Sequence, residues 1–234
     1  MEKVIYLLWR DPAVDADAFG EQLRAQLAPQ LREAGARHLR LNLADSAVTP
    51  AIGLRQQHLK PAPDAVVQVW LDSAIRALRA AADAAIAAAA PRHSAWLVTE
   101  SQPMRNREHP AAAGTRTHGF AQIAILRKPL RLAYADWLDV WHNSHTEVAK
   151  RTQSTFEYVQ NVVVRPLTAE APAIDAIVEE CFPPGAMTDY KVFFGAPGDE
   201  AKFKRNLAEM MQSVHRFIEP GSIDVIPTSQ YDMF

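Results

Sequence analysis

The stretch FAQIAILRKP (residues 120–129) repeats a pattern that first occurs in VIYLLWRDP (residues 4–12). In both, an apolar run rich in strand-forming residues ends at an arginine that is followed two positions later by proline. The spacing between Arg10 and Arg127 equals the spacing between Pro12 and Pro129. Each run predicts a buried strand that proline closes. Because the pattern returns in the second half, the sequence indicates two units of one kind.

The first unit shows the order β-α-β-β-α-β. Strands are predicted at residues 4–9, 37–44, 65–71 and 95–99, and helices at 16–34 and 74–90. Pro29 predicts a kink or an early end in the first helix. Asp72 and Ser73 are predicted to cap the second helix, with Ile75, Leu78 and Ile86 marking its buried side. Residues 45–63 contain three prolines and no periodicity, which predicts a long connection.

The second unit repeats this order. Strands are predicted at residues 120–126, 156–164, 174–182 and 222–227, and helices at 137–151 and 200–217. Residues 185–198 are an insertion without a counterpart, in which DYKVFF predicts a short helix or an edge strand. We therefore expect an α+β protein with one unit at 1–103, a linker at 104–117 and a second unit at 118–234. A single βαββαβ unit leaves one apolar sheet face bare, so the two units are expected to pack sheet-to-sheet as a closed pseudo-dimeric barrel.

The composition limits the classes of binding partner that are expected. A net charge of −2 and a pI near 6.4 provide no electrostatic footprint for nucleic acid or an anionic membrane. A small molecule is the expected partner, with a homodimer beyond the internal pseudo-dimer left open. The single cysteine, Cys181, excludes an internal disulfide framework, and no apolar run reaches the roughly 20 residues of a spanning helix. A cytoplasmic location is the expectation.

The segment WLDVWHNSHTEVAKR (residues 137–151) places ionisable side chains beside an apolar helical stripe. At about 100° per residue from Trp137, Trp141 lies near 40°, Val148 near 20° and His145 near 80°. The helical phase therefore predicts that His145 faces inward. His142, near 140°, is predicted to lie at the border between the buried and the exposed face of the helix. Glu147 is expected to pair with Arg151 at the i, i+4 spacing.

The second half resembles the EthD family of the dimeric α+β barrel group. The likeness rests on LRKP (126–129), WLDVWHNSH (137–145) and YVQN (158–161), at the family's spacing, and more weakly on LLWRDP (7–12) and VVQVWLDS (66–73) in the first half. It implies a ligand pocket between each sheet and its helices. Members are linked to oxidative degradation or to ring-forming and dehydrating steps on aromatic polyketides. The first unit departs from the pattern, because Leu23 and Leu27 stand where Trp141 and His145 do, so only the second unit would be active.

His145 and Tyr158 are the predicted catalytic residues. An imidazole near its reference pKa can give and take a proton at neutral pH, although a buried neutral histidine bonded to a backbone carbonyl is the alternative. Tyr158 could donate a hydrogen bond to a substrate carbonyl or phenol, or be an ordinary strand aromatic. Five side chains complete the predicted substrate-binding set: Trp141, Trp137, His142, Asn161 and Arg127.

The function expected from these residues is cofactor-independent acid–base chemistry, of the lyase, cyclase or isomerase kind, on an apolar or aromatic carbonyl or phenol compound. Two alternatives remain open: an oxidoreductase or accessory role in oxidative degradation, and a non-catalytic binding protein. No cofactor is expected. A metal or haem held by His142 and His145 is the alternative, because the pair has an i, i+3 spacing but no evident third ligand.

Overall fold

The computed structural model describes residues 1–234. Its eight strands are β1 (Glu2–Trp9), β2 (His38–Leu43), β3 (Ala65–Leu71), β4 (Arg92–Met104), β5 (Phe120–Leu126), β6 (Glu157–Pro166), β7 (Ala176–Phe182) and β8 (Asp224–Asp232). The helices are α1 (the run Ala16–Gln22, Leu23–Leu27 and Ala28–Glu33), α2 (Arg76–Ala89), α3 (the run Tyr134–Asp139, Val140–His145 and Thr146–Thr152), α4 (Tyr190–Phe193) and α5 (Glu200–Phe217).

All eight strands close into one antiparallel barrel in the order β1-β3-β2-β8-β5-β7-β6-β4. Each half contributes four neighbouring strands. The halves join edge to edge, where β2 pairs with β8 and β4 pairs with β6. Closure leaves no unpaired sheet edge, which removes the main route to unwanted strand pairing. The predicted α+β class and the closed pseudo-dimeric barrel are confirmed, whereas the exact unit boundaries stay a prediction.

The two halves correspond residue by residue with an offset of 118 in β1 and β5. The Arg10 amide donates to Asp64 just before β3, and the Lys128 amide donates in the same way to Asp175 just before β7. Arg10 is thus equivalent to Lys128 in the hydrogen-bond network. The equal spacing of arginines and prolines in the sequence would instead have paired Arg10 with Arg127, one residue away.

The first long helix of each half, α1 and α3, contains a π turn at the same place. The turn covers Leu23–Leu27 in α1 and Val140–His145 in α3. In α1 it immediately precedes the turn that contains Pro29, and the helix continues to Glu33 without ending at the proline. π turns inside α-helices are rare and often occur at functional sites. In α3 the π turn carries Trp141 and His145, both buried.

The barrel interior is apolar in one part and polar in another, which corrects the expectation of two wholly apolar faces. The apolar part includes Ile5, Leu7, Val66, Trp96, Ile123, Ile125, Ile177 and Ile226. In the polar part, the Arg40 guanidinium contacts Glu157 at 3.2 Å, Glu179 at 3.0 Å and Asp232 at 2.7 Å. Gln230 donates to both glutamates, so the buried carboxylates are paired and hydrogen-bonded.

Several local predictions were wrong for identifiable reasons. Residues 46–54, predicted as an unstructured connection, form a 3-10 helix. No side chain caps α2, since the Asp72 carboxylate is bound by Arg37 and α2 begins after Ile75. Ile75 and Leu78 are exposed, because α2 packs against the sheet through the side that carries Ala82 and Ile86.

The insertion after β7 is helical. It forms a 3-10 turn at Pro184–Met187 and the helix α4, so the edge-strand alternative for DYKVFF was wrong. Glu147 pairs with Lys150 rather than Arg151, which instead reaches Glu209 on α5. No helix combines the length and apolarity needed to cross a membrane.

Candidate functional site

A cavity of about 690 Å³ lies in the second half, between the outer face of the sheet and the helices α3 and α5. This volume falls within the range of small-molecule sites. Its walls are mainly apolar and include Leu126, Phe193, Phe194, Phe203, Leu207, Met210, Val214, Phe217 and Val225. The first half supplies part of the mouth through residues 53–56, where the Tyr190 hydroxyl donates to the Gly53 carbonyl at 3.1 Å.

The cavity exists partly because the second half has a small side chain at a position where the first half has a large one. Ala124 on β5 lines the cavity and pairs with Val178 on β7. The equivalent residue on β1 is Tyr6, which pairs with Val67, is fully buried and donates a hydrogen bond to Asp83 at 2.8 Å. The tyrosine ring therefore occupies in the first half the position that alanine leaves open in the second.

Glu180 is the main ionisable group of the cavity. It lies on β7 directly opposite Gln122 on β5 and Tyr158 on β6, so three polar side chains form a row across the sheet. The side chain is buried, and its Oε1 atom has no hydrogen-bond partner. Burial without a partner raises the pKa of Glu180 to about 8. The carboxyl group is thus close to half-ionised at mildly alkaline pH.

Tyr158 is fully buried beside this glutamate. Trp141 Nε1 donates to the Tyr158 hydroxyl oxygen at 3.2 Å, which leaves the hydroxyl proton of the tyrosine for another acceptor. Burial, reinforced by the nearby Glu180, raises the pKa of the Tyr158 phenol well above its ordinary value. Tyr158 therefore stays protonated and acts as a hydrogen-bond donor.

His145 enters the cavity from the π turn of α3. Its Nδ1 atom lies 3.0 Å from the Ser213 hydroxyl on α5, and its ring packs on Phe217 with 4.5 Å between the ring centroids. Burial, with a smaller contribution from the positive charge of Arg216, lowers the pKa of His145 to about 4. The imidazole is accordingly neutral at physiological pH.

The structure brings three of the predicted site residues together at the cavity: His145, Tyr158 and Trp141. The other four have contacts elsewhere. Trp137 donates to the Phe217 carbonyl and packs on Trp141. The His142 ring also contacts Trp141, in a tilted arrangement with 4.6 Å between the ring centroids, and its buried Nε2 atom has no partner.

Asn161 and Arg127 lie away from the cavity. The Asn161 side chain is on the barrel-interior face of β6 and donates to the Ile177 carbonyl. The Arg127 guanidinium binds the Ser222 carbonyl and Asp224. These contacts hold the ends of strands together, and we do not assign either residue a substrate contact at this cavity.

Sequence reasoning missed Glu180 and Gln122. A signal was present: AIVEECF (residues 176–182) is a buried strand with two consecutive glutamates. Because successive side chains of a strand point to opposite faces, one glutamate must face each side. Glu179 points into the barrel toward Arg40, whereas Glu180 points into the cavity without a cation.

A metal ion shared by His142 and His145 does not fit the side-chain arrangement. No group of three His, Cys, Asp or Glu side chains is placed to hold a metal ion, and His142 does not line the cavity. Only His145 of this pair lies at the cavity, where its Nδ1 atom is engaged by Ser213.

Comparison with known proteins identifies the fold class. Among solved structures, an anthrone oxidase-like protein superposes with a TM-score of 0.60 at 6% sequence identity, covering 99% of this chain and 93% of its own. A protein from Lactobacillus acidophilus provisionally assigned as a monooxygenase gives 0.44 at 8% identity, over 98% and 93% of the chains. A provisionally assigned chlorite dismutase gives 0.48 at 9% identity, over 100% and 96%.

The present chain forms a closed eight-stranded α+β barrel within one polypeptide, and the anthrone oxidase-like structure shares this fold over nearly its whole length. At this identity the likeness concerns the fold alone. No protein-family model and no curated protein matches the sequence.

Proposed function

We propose that the second half is a cofactor-independent acid–base enzyme of the EthD type, acting on an apolar or aromatic compound that carries a carbonyl or phenol group. One observation carries the proposal: Glu180 is buried in an apolar cavity, has no cation beside it and is opposite Tyr158 in the sheet. A carboxyl group with a raised pKa in a cavity is typical of a catalytic acid or base.

In the proposed reaction, Glu180 removes a proton from carbon next to the substrate carbonyl. A base is most effective when its pKa lies near the working pH, which favours Glu180, at about 8, over His145, at about 4. This reverses the expectation that His145 moves the proton. Tyr158 donates a hydrogen bond to the oxygen on which negative charge develops. The carboxylic acid formed on Glu180 then returns the proton to another atom or to a leaving group, which gives isomerase, cyclase or lyase chemistry.

The apolar walls contribute by excluding water. In a cavity lined by phenylalanines, the hydrogen bond from Tyr158 to a developing oxyanion is stronger than in bulk solvent. The fully buried Trp141 fixes the phenol oxygen through its indole N–H and provides a flat surface. These residues favour a flat, uncharged ring system as the substrate.

An oxidase is the second candidate, suggested by the structural neighbour with a TM-score of 0.60, which is named an anthrone oxidase-like protein. The same proton abstraction at Glu180 would form a carbanion. The carbanion could then give two electrons to molecular oxygen and form a carbon–oxygen bond, and the resulting peroxide anion takes the proton back from Glu180. Loss of water from this hydroperoxide leaves a carbonyl group, so that overall a CH2 group and O2 give a C=O group and water. Both candidates begin with the same step, and they differ in whether oxygen is consumed.

The test is hydrogen–deuterium exchange at the acidic CH2 group of two probes, C2 of 1-tetralone and C10 of anthrone, whose anion is conjugated with the carbonyl through the rings; exchange is followed by NMR in D₂O without oxygen. Wild-type protein is expected to accelerate exchange of at least one probe, and Glu180→Gln to reduce the acceleration roughly 10²- to 10⁴-fold. Glu170→Gln, at an exposed position, is the matched control and should behave as wild type.

Repeating the reaction in air with an oxygen electrode separates the two candidates, because only the oxidase consumes oxygen. Saturable binding of the probes without accelerated exchange would contradict both and indicate a binding protein. Equal exchange rates for wild type and Glu180→Gln would exclude Glu180 as the base.

A further inference from the structure

We infer that Ser213 holds His145 in the tautomer that carries its proton on Nε2, so that His145 presents an N–H donor to the cavity. The inference rests on the proposed function for its catalytic meaning, but the tautomer itself does not depend on it. It gives Ser213 a role as a positioning residue.

The two side chains form an isolated hydrogen-bonded pair. Ser213 is 4% exposed, and the contact from its Oγ atom to His145 Nδ1 is the only hydrogen bond of this hydroxyl. The two buried threonine hydroxyls of α3 behave differently, since Thr146 and Thr152 donate to backbone carbonyls of their own helix. Ser213 makes no such bond, so His145 Nδ1 is the acceptor available to its proton.

Two proton arrangements are compatible with the distance between Oγ and Nδ1. If Nδ1 carried the imidazole proton and donated it to Oγ, the serine proton would be buried without an acceptor. An orphaned buried donor costs about 1–3 kcal/mol. If Ser213 donates to an unprotonated Nδ1, the serine proton has its acceptor, and the imidazole proton must be on Nε2, which is not sealed off from the cavity, so that water or a ligand can accept from it. The second arrangement is favoured.

The imidazole Nε2 atom makes no hydrogen bond within the protein, and His145 lines the cavity. A ligand oxygen in the cavity can therefore accept from Nε2–H as well as from the Tyr158 hydroxyl. Burial and Arg216 keep the imidazole neutral, so the donor carries no full charge. Two neutral donors, with Glu180 as the base, form the arrangement that stabilises an oxyanion while a neighbouring carbon loses its proton.

The first half supports this assignment by contrast. Position 27 in the π turn of α1 is equivalent to position 145 and is a buried leucine, Leu27. The fold therefore does not require a histidine or a hydrogen bond at this point of the helix.

The experiment is long-range ¹H–¹⁵N correlation NMR of protein labelled with ¹⁵N in its imidazoles, at pH 7.5. The His145 signals are assigned by their loss in His145→Gln. Wild-type protein is expected to show a neutral imidazole with its proton on Nε2. Ser213→Ala should shift the population toward Nδ1–H, and Ser213→Thr, which restores a hydroxyl, should return it to the wild-type pattern. An Nδ1–H tautomer in wild type, or an unchanged tautomer in Ser213→Ala, would overturn the inference.

Kinetics supply the second readout. In the exchange assay Ser213→Ala is expected to lower kcat at least fivefold with less than a twofold change in KM, and Ser213→Thr to recover most of the loss. A loss that Thr does not recover would contradict the positioning role. If wild type shows the Nε2–H tautomer but no exchange activity, the proposed function fails while the tautomer assignment stands.

Discussion

Glu180 and Val69 occupy the same register position in the two halves of the barrel. Val69 on β3 lies opposite Val4 and Leu39, whereas Glu180 on β7 lies opposite Gln122 and Tyr158. The first half thus builds the same four-stranded sheet with apolar side chains where the second half has polar ones. Since the first half folds without those polar groups, the fold does not require the carboxyl, amide and phenol of the second half, and in the proposed function they serve the substrate.

Replacing Glu180 with Gln should stabilise the protein at alkaline pH while removing its activity. Below about pH 4.5 the carboxyl is protonated in both the folded and the unfolded chain. Between about 4.5 and 8 the unfolded chain ionises first, so the free energy of unfolding falls as pH rises, by at most about 1.4 kcal/mol per pH unit for this group. The neutral amide lacks this penalty, and we expect Glu180→Gln to be more stable by roughly 2 kcal/mol or more at pH 8.

Urea denaturation at pH 4 and pH 8 measures the effect. The stability difference between Glu180→Gln and wild type should be small at pH 4 and large at pH 8. Glu170→Gln, at an exposed position, should show no such change. A Glu180→Gln variant that is equally destabilised at both pH values would contradict the assignment of an unpaired buried carboxyl.

The pH dependence of kcat/KM should identify the base. With Glu180 as the base, the rate of exchange should rise with pH and reach half its maximum near 8, because the ionised fraction of the carboxyl increases. With His145 as the base, kcat/KM would instead rise around pH 4, the pKa of this histidine. Stopped-flow or NMR exchange rates between pH 4 and 10 distinguish the two. A profile that is already flat from pH 5 to 9 would exclude Glu180 as the base.

Much of the fold followed from the sequence because strands and helices of this protein have clear periodicity. The strand at 120–126 and the helix at 200–217 have the predicted bounds, since the strand is a nearly continuous apolar run and Asp199 caps the start of the helix. The 3-10 helix at residues 46–54 was missed because its contacts are with β8 of the other half rather than with its own neighbours. Such tertiary contacts leave no periodic signal in the sequence.

The candidate site was predictable only in part. Helical phase alone placed His145 and Trp141 inward, and both line the cavity. The pairing of Glu180 with Tyr158 depends on strand register, which a single sequence does not fix. The lowered pKa of His145 likewise depends on its burial, which helical phase does not measure, and it is the reason for proposing His145 as a hydrogen-bond donor; its predicted acid–base role stays a prediction.

Arg40 should be essential for the stability of the barrel. Burial alone would raise the pKa of Glu179, but Arg40 and three amide donors hold it below the ordinary value, so the glutamate is ionised inside the barrel. Arg40→Met would leave the Glu157 and Glu179 carboxylates buried without a cation. Breaking a buried ion pair in this way costs about 3–5 kcal/mol, and urea denaturation at pH 7 should show a loss of that order.

The matched control for Arg40→Met is Arg37→Met, which removes an exposed ion pair with Asp72. Exposed pairs contribute about 0–1 kcal/mol, so this variant should be close to wild type. The deficit of Arg40→Met should also narrow as the pH falls below the ordinary glutamate value of 4.5, because the lowered pKa of Glu179 makes the wild type lose stability there, whereas the variant lacks the cation that lowers it. A loss below about 1 kcal/mol at pH 7 would contradict the ionised network.

Exchanging Ala124 for the tyrosine found in the first half should close the cavity without disturbing the barrel. Ala124 and Tyr6 are equivalent, and the second half has open space where the first has a phenol ring. Since the ring enters an existing cavity, Ala124→Tyr should change the free energy of unfolding by less than about 1.5 kcal/mol. Binding of 1-tetralone should weaken at least tenfold, as measured by calorimetry.

The reciprocal variant, Tyr6→Ala, opens a void in a filled core and should cost about 3–5 kcal/mol without affecting binding. Unchanged affinity in Ala124→Tyr would show that the probe does not occupy this cavity.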